Sequence, residues 1–284
     1  MSETAGAYVY ALVPASFPVE PLPSGIDGAP LRVVRAGPVG AVVHECGGEP
    51  YSGDDDTTRR RVLEHNGVVD RLWQRDRAIL PMTFDVIVAG TEESSAVDRL
   101  AQWLRGSAEE IVAGLAAVAG HVELRVDLFL PIAAAAADDP DVAQLRTRIG
   151  SASAGIQRLL RRQLDQSERD VAERVADRVH AAARPRLARW SADLRDNRVR
   201  SPGAEELPVL SCSLLVEEAA VPRIGEELAA LARDWPIVRV AFLGPWPPYS
   251  FARLRPASPE GDDEGRPSRR VPGAAPDAPV PSEG

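Results

Sequence analysis

The sequence predicts an α+β fold, on three observations. Val-rich or alternating runs recur in both halves of the chain, amphipathic helical stretches separate them, and Gly, Pro and Asp punctuate the short connections. Taken together the runs divide the 284 residues into an N-terminal α+β domain over 1–119, a second domain over 120–255 and a tail over 256–284.

The first half opens on Tyr8 to Val13, a strand by composition, followed by a loop over 14–30 that holds five prolines. Leu31 to His44 is Val-rich and interrupted by Gly37-Pro38, which predicts a hairpin-like pair of strands. Asp54-Asp55-Asp56 supplies a cap and the acidic first turn for a helix over about 57–75, with Val62, Val69 and Trp73 at helical spacing. Ala78 to Val88 has strand composition, and Pro81 places it at an edge or bulge. Thr91 to Ala119 returns to helical period through Leu100, Leu104, Ile111, Leu115 and Val118, and Gly120 is a natural stop.

In the second half Val122, Leu124, Val126 and Leu128 alternate with His121, Glu123, Arg125 and Asp127, the pattern of a half-buried strand. Asp138-Asp139-Pro140 starts a long helical region that Gly150, Gly155 and Pro185 divide or bend into two or three helices. A strand over Leu207 to Val216, a helix over about Pro222 to Arg233 and a strand over Ile237 to Leu243 follow. Strand, helix, strand, helix, strand with short links predicts a ferredoxin-like sheet backed by helices, here with a long helical insertion. The tail from Pro256 carries seven prolines and few large apolar residues, so its composition predicts disorder.

Composition limits the function classes. Hydrophobic residues at 44% and charged residues at 26% are globular values, and a net charge of −9 argues against nucleic acid as the main partner. No apolar run is long enough to span a lipid membrane, and Met1-Ser2-Glu3-Thr4 lacks the basic start of a signal peptide. A soluble, cytoplasmic protein is expected. Cys46 and Cys212 lie far apart in strand-like contexts, which predicts two free, buried thiols.

Signals for catalysis are sparse. His44, His65, His121 and His180 fall at no metal-ligand spacing, and no phosphate-binding loop, dinucleotide fingerprint or nucleophile elbow occurs. His44 and Cys46 share a strand face by period alone, and the expectation is a packed thiol beside a surface imidazole. His65 is expected to cap or pack within its helix. Arg146, Arg148, Arg158, Arg161 and Arg162 form a basic run that Asp165, Glu168 and Asp170 would balance on a solvated helix face. No catalytic residue, metal or cofactor is predicted.

The densest signal lies near the end. Gly244-Pro245-Trp246-Pro247-Pro248-Tyr249-Ser250-Phe251 packs three prolines and three aromatics into eight positions of a chain that is 5% aromatic overall. Fixed φ angles and missing donors exclude a central strand or helix. The stretch is read first as a stiff, extended plug with Trp246 held against the core, and second as a partner contact. It resembles the closing motif of the GvpL/GvpF family of gas vesicle proteins.

Other stretches resemble the same family in the same order. They are Tyr8-Val9-Tyr10-Ala11-Leu12-Val13, Val39 to Glu45, and Glu64-His65-Asn66-Gly67-Val68-Val69. Leu80-Pro81-Met82-Thr83-Phe84-Asp85 is similar to a Leu-Pro-x-Arg-Phe-Gly element, with Thr83 where Arg is common and Asp85 where Gly is common. Gly155 to Arg162 resembles a Gly-x-x-Tyr-Leu-basic segment with Arg158 at the aromatic position. The resemblance implies that the second domain is a modified ferredoxin fold. It also implies a non-enzymatic accessory protein of gas vesicles, which are gas-filled, protein-walled organelles that give buoyancy. Its expected partners are the hydrophobic shell protein GvpA and other accessory proteins, contacted through the octapeptide or through Leu80, Pro81 and Phe84. Two alternatives are a ferredoxin-like small-molecule regulator or enzyme, and a helical oligomerisation module that self-associates through Ile149 to Val179.

Overall fold

In the computed structural model the residues described are 5–18, 21–198 and 203–252. Two antiparallel sheets form, one from each half of the chain. The predicted tail over 256–284 lies outside the described residues.

The first sheet is built around β1 (Ala5–Pro14), which is buried along nearly its whole length. β3 (Val39–Gly47) pairs with one side of β1, and β2 (Arg32–Ala36) pairs with β3. The hairpin between β2 and β3 turns at Gly37, whose φ of +66° suits glycine. A register shift between Val9 and Ala11 marks a bulge in β1. It changes which alternate residues face which side: Tyr8 and Tyr10 before it, and Ala11 and Val13 after it, all join one apolar cluster, while Val9 and Leu12 join another.

α1 (Asp55–Arg75) begins where the acids predict, with the Asp54 side chain accepting from the Thr57 amide. It lays Val68, Val69 and Leu72 against the tyrosine side of the sheet. The expected strand over Ala78–Val88 is instead two short pieces, β4 (Leu80–Pro81) and β5 (Ile87–Ala89), both paired with the open side of β1. Proline cannot donate to a ladder, and Asp85 at φ +73° turns the chain between the pieces. The helical stretch beyond is likewise two helices, α2 (Ala96–Gly106) and α3 (Ala108–Val118), which meet at Ser107. Gly120, at φ +73°, ends α3 as predicted.

The second sheet follows the split β-α-β plan. β6 (His121–Pro131) leads through the short α4 (Ile132–Ala135), α5 (Pro140–Ser151) and α6 (Ala154–Ala188) to β7 (Asp193–Asp196). β8 (Glu206–Glu217), α7 (Val221–Asp234) and β9 (Arg239–Trp246) complete it, in the order β7-β8-β6-β9. The chain breaks between α5 and α6 at Ala152, whereas Pro185 stays inside the last turn of α6. β7 is too short and too polar to show an apolar pattern, and sequence reasoning missed it.

Alternate residues of β6 (Val122, Leu124, Val126 and Leu128) pack with Val175 and Val179 of α6 and with Ile224 and Leu228 of α7. The same cluster holds Tyr8 and Tyr10, so one apolar core crosses from the first half into the second. We propose residues 119 and 120 as the domain boundary, since a complete sheet lies on each side of it.

Candidate functional site: the closing motif and the element beneath it

The octapeptide begins as strand and then curls. Gly244, Pro245 and Trp246 continue β9 along the outer edge of the second sheet, where prolines leave no ladder bond unmade. This corrects the expectation of a wholly extended plug. Gly244 has φ +115°, and a Cβ there would lie 2.8 Å from the Glu123 carbonyl oxygen, so both backbone and space demand glycine. The Gly244–Pro245 peptide is cis. Beyond Trp246 the chain turns sharply: the Tyr249 amide donates to the Pro247 carbonyl and the Phe251 amide to Pro248.

That turn docks on the face of the second sheet opposite α6 and α7. Glu123, on β6, is 3% exposed, and its two carboxylate oxygens accept from the Ser250 amide at 2.8 Å and the Ser250 hydroxyl at 2.6 Å. Because the Ser250 proton is committed to the carboxylate, the Ser213 hydroxyl at 3.1 Å donates to Ser250. Ser213 in turn accepts from the Asn197 side-chain amide. Arg195 of β7 donates to the Ser250 carbonyl and lies 4.8 Å over the Phe251 ring. One serine thus makes every hydrogen bond its backbone and side chain offer here, which is the physical reason for a hydroxyl at that place in the motif.

The aromatics divide unevenly. Phe251 and Ala252 are buried in the apolar cluster of Leu100, Leu104, Ile111 and Leu115 from α2 and α3, so the motif reaches into the first half. Tyr249 packs against the shared core, and its hydroxyl has no partner among the described residues. Pro247 and Pro248 are buried. Trp246 is half-buried and belongs to neither main cluster, so the core anchor is Phe251 rather than Trp246.

The Leu80–Asp85 element lies in the first half over a closed polar network. Leu80 and Pro81 form β4, and the Met82 amide donates to the Tyr10 carbonyl. The Met82 carbonyl accepts from Nε2–H of His65 at 3.0 Å, which leaves Nδ1 to accept from the Tyr8 hydroxyl at 2.8 Å. Tyr8 Oη then accepts from the Asp85 amide. His44 bridges the Tyr10 hydroxyl through Nδ1 and the Tyr51 hydroxyl through Nε2, each at 2.9 Å. Phe84 lies edge-on to His65 and stacks over Tyr51. Thr83, at the position where arginine is common, is exposed.

Burial sets the electrostatics of this network. It pushes the His65 pKa down to about 4 and lowers that of His44, while it raises the tyrosine hydroxyls, Tyr51 to about 12. All members are therefore neutral near pH 7. The expected pairing of a buried thiol with a surface imidazole is reversed: His44 is 2% exposed and Cys46 half-buried. His65 packs in the core, as expected, and also links α1 to the Met82 carbonyl. Both cysteines are free, and burial raises the Cys212 thiol to about 12.

Sequence reasoning found the octapeptide but not its receptor. Glu123, Ser213, Asn197 and Arg195 gave no motif. Glu123 stood on the polar side of an alternating strand, which predicts solvent, whereas Ser250 of the octapeptide returns to it and donates to its carboxylate.

Known proteins share both the sequence and the fold. The family described as gas vesicle synthesis protein GvpL/GvpF matches residues 6–253. Gas vesicle protein L2 of Halobacterium salinarum is 33% identical over 87% of this chain and 91% of its own. Gas vesicle protein L of Haloferax mediterranei is 27% identical over 81% of this chain and 72% of its own. The crystal structure of GvpF from Anabaena sp. PCC7120 superposes with a TM-score of 0.70 at 15% identity, over 89% of this chain and all of that one. GvpF from Microcystis aeruginosa shares the fold at a TM-score of 0.64. With the match spanning both sheets and ending just beyond Phe251, the chain belongs to the GvpL/GvpF family of gas vesicle synthesis proteins.

Proposed function

We propose that this chain is a non-enzymatic accessory protein that assembles gas vesicles in the cytoplasm by binding the shell protein GvpA and other vesicle proteins. The family match over residues 6–253 carries the reading. The structure supports it: the histidines and tyrosines of the first half, His44, His65, Tyr8, Tyr10 and Tyr51, use their hydrogen bonds on one another and on neighbouring backbone groups. The C-terminal part of the α6 apolar face is likewise occupied, since Val171, Val175 and Val179 pack within the chain itself, which weighs against an oligomerisation module built along the whole of Ile149 to Val179. Among the described residues no helix is long and apolar enough to cross a membrane.

Two measurements test the proposal. Tagged protein co-expressed with GvpA should retain it through purification, and deletion of the gene should abolish vesicles that a plasmid copy restores. Normal vesicles in the deletion strain, with no GvpA retained, would overturn it. Immunoblots of washed vesicles would then separate a resident component from an assembly factor.

A further inference from the structure

The tip of the α5–α6 hairpin differs from the rest of this acidic chain. Residues 144–164 hold five arginines and no acid, against a net charge of −9 for the whole. The expected balance with nearby acids forms only in part, at Arg146. Glu168 pairs with Arg146 at 2.8 Å, Asp170 accepts from Gln166, and Asp165 makes no ion pair among the described residues. Arg148, Arg158, Arg161 and Arg162 are exposed, and none has an ion pair among the described residues.

Apolar surface accompanies this charge. Ile156 and Leu159, one helical turn apart, are 54% and 68% exposed, while Leu160 is buried and Leu164 packs with Val142 and Val171. Leu159 is the most exposed large apolar side chain among the described residues. Arg158 precedes it, and Arg162 follows at the next helical contact. The tip thus presents an apolar pair framed by unpaired guanidinium groups.

We propose that this tip docks an acidic amphipathic helix of a partner protein. Its apolar side chains would cover Ile156 and Leu159, and its flanking carboxylates would meet the arginines, whose planar forks match that geometry. Charge complementarity selects the occupant. Nucleic acid would engage the arginines but leave both aliphatic side chains unused. A membrane surface would gain little from two aliphatic residues with no aromatic beside them.

The test is a fluorescence-anisotropy titration of the full chain with a labelled helical peptide carrying a leucine stripe flanked by glutamate. The same peptide with lysine flanks, phosphatidylglycerol vesicles and duplex DNA form the comparison arms. The glutamate peptide should bind, the lysine peptide should not, and the affinity should fall with salt. The triple reversal R158E/R161E/R162E should weaken binding by roughly tenfold or more, as expected for several screened pairs turned repulsive. I156S/L159S should weaken it at high salt as well. Both variants should keep the parent melting midpoint, because all five side chains are exposed. Unchanged affinity in both variants, equal binding of the two peptides, or binding of vesicles or DNA in place of the peptide would overturn the proposal.

Discussion

Tyr8, Tyr10, His44 and His65 are buried in the first half and satisfy one another over distances set by one sheet and one helix. Glu123 is buried about as deeply in the second half, yet both of its hydrogen bonds come from Ser250, 127 positions away. The first arrangement uses neutral groups whose partners are already brought together by β1, β3 and α1. The second uses a carboxylate whose partner arrives only when the chain end folds back. A neutral network stabilises its own half, whereas the carboxylate makes the stability of the second sheet conditional on closure by the octapeptide.

The largest expected effect tests that dependence. Phe251→Ala should cost about 3–5 kcal/mol, the usual range for a buried phenylalanine, read as a lower urea midpoint. Trp246→Ala, at a half-buried edge position, should cost less than half of that, and the reverse order would restore Trp246 as the anchor. Ser250→Ala should cost about 2 kcal/mol, because it strips a hydrogen bond from a buried carboxylate. A negligible change would mean that Glu123 is satisfied without the motif.

The neutral network is tested by pH. Unfolded, His65 takes a proton below about pH 6.5, while folded it stays neutral down to about 4. The unfolded chain binds more protons across that window, so stability is complete above pH 6.5 and falls as the pH drops toward 4. The contribution is on the order of 3 kcal/mol, and His44 adds to it with the same sign. His65→Gln should start less stable at pH 7 and lose less on acidification. Parallel urea midpoints for the two proteins across that range would rule out His65 as the titrating group.

The smallest effects separate architecture from contact. Tyr249→Phe should change stability by about 0.5 kcal/mol or less, since its hydroxyl has no partner among the described residues. If that variant folds normally but no longer retains GvpA, the hydroxyl is a contact group. Asp85→Gly should also stay within about 1 kcal/mol: glycine relieves the φ of +73°, but the bond from the Tyr51 amide to the Asp85 carboxylate is lost.

Much of this fold is legible where the period is long and apolar. α1, β8 and α7 fall within a residue or two of their expected ends, and β6 starts where expected and runs three residues further, because caps, alternation and helical spacing agree there. The signal fails where tertiary context decides. Ala78 to Val88 has strand composition, yet Pro81 and the left-handed Asp85 split it, and β7 has too few apolar residues to register. In the candidate site the proline–aromatic cluster is visible in sequence, while Glu123 is not. A glutamate on the polar side of a strand signals solvent until a segment more than a hundred residues away covers it.

Phe251 and Ala252 complete an apolar cluster whose other members are mostly β1, β2, β3, α2 and α3. A ribosome emits the chain in order, so the first half leaves the exit tunnel with that cluster unsealed and must wait for nearly the whole protein to follow. Nascent chains stalled before residue 247 should present Leu100, Leu104 and Leu215 less protected than the finished molecule does. Any chaperone that grips exposed aliphatic surface would hold such chains and release them once the last turn is made. The closing motif therefore acts as a completeness check: the molecule buries its earliest strand fully only after Phe251 and Ala252 have been synthesised.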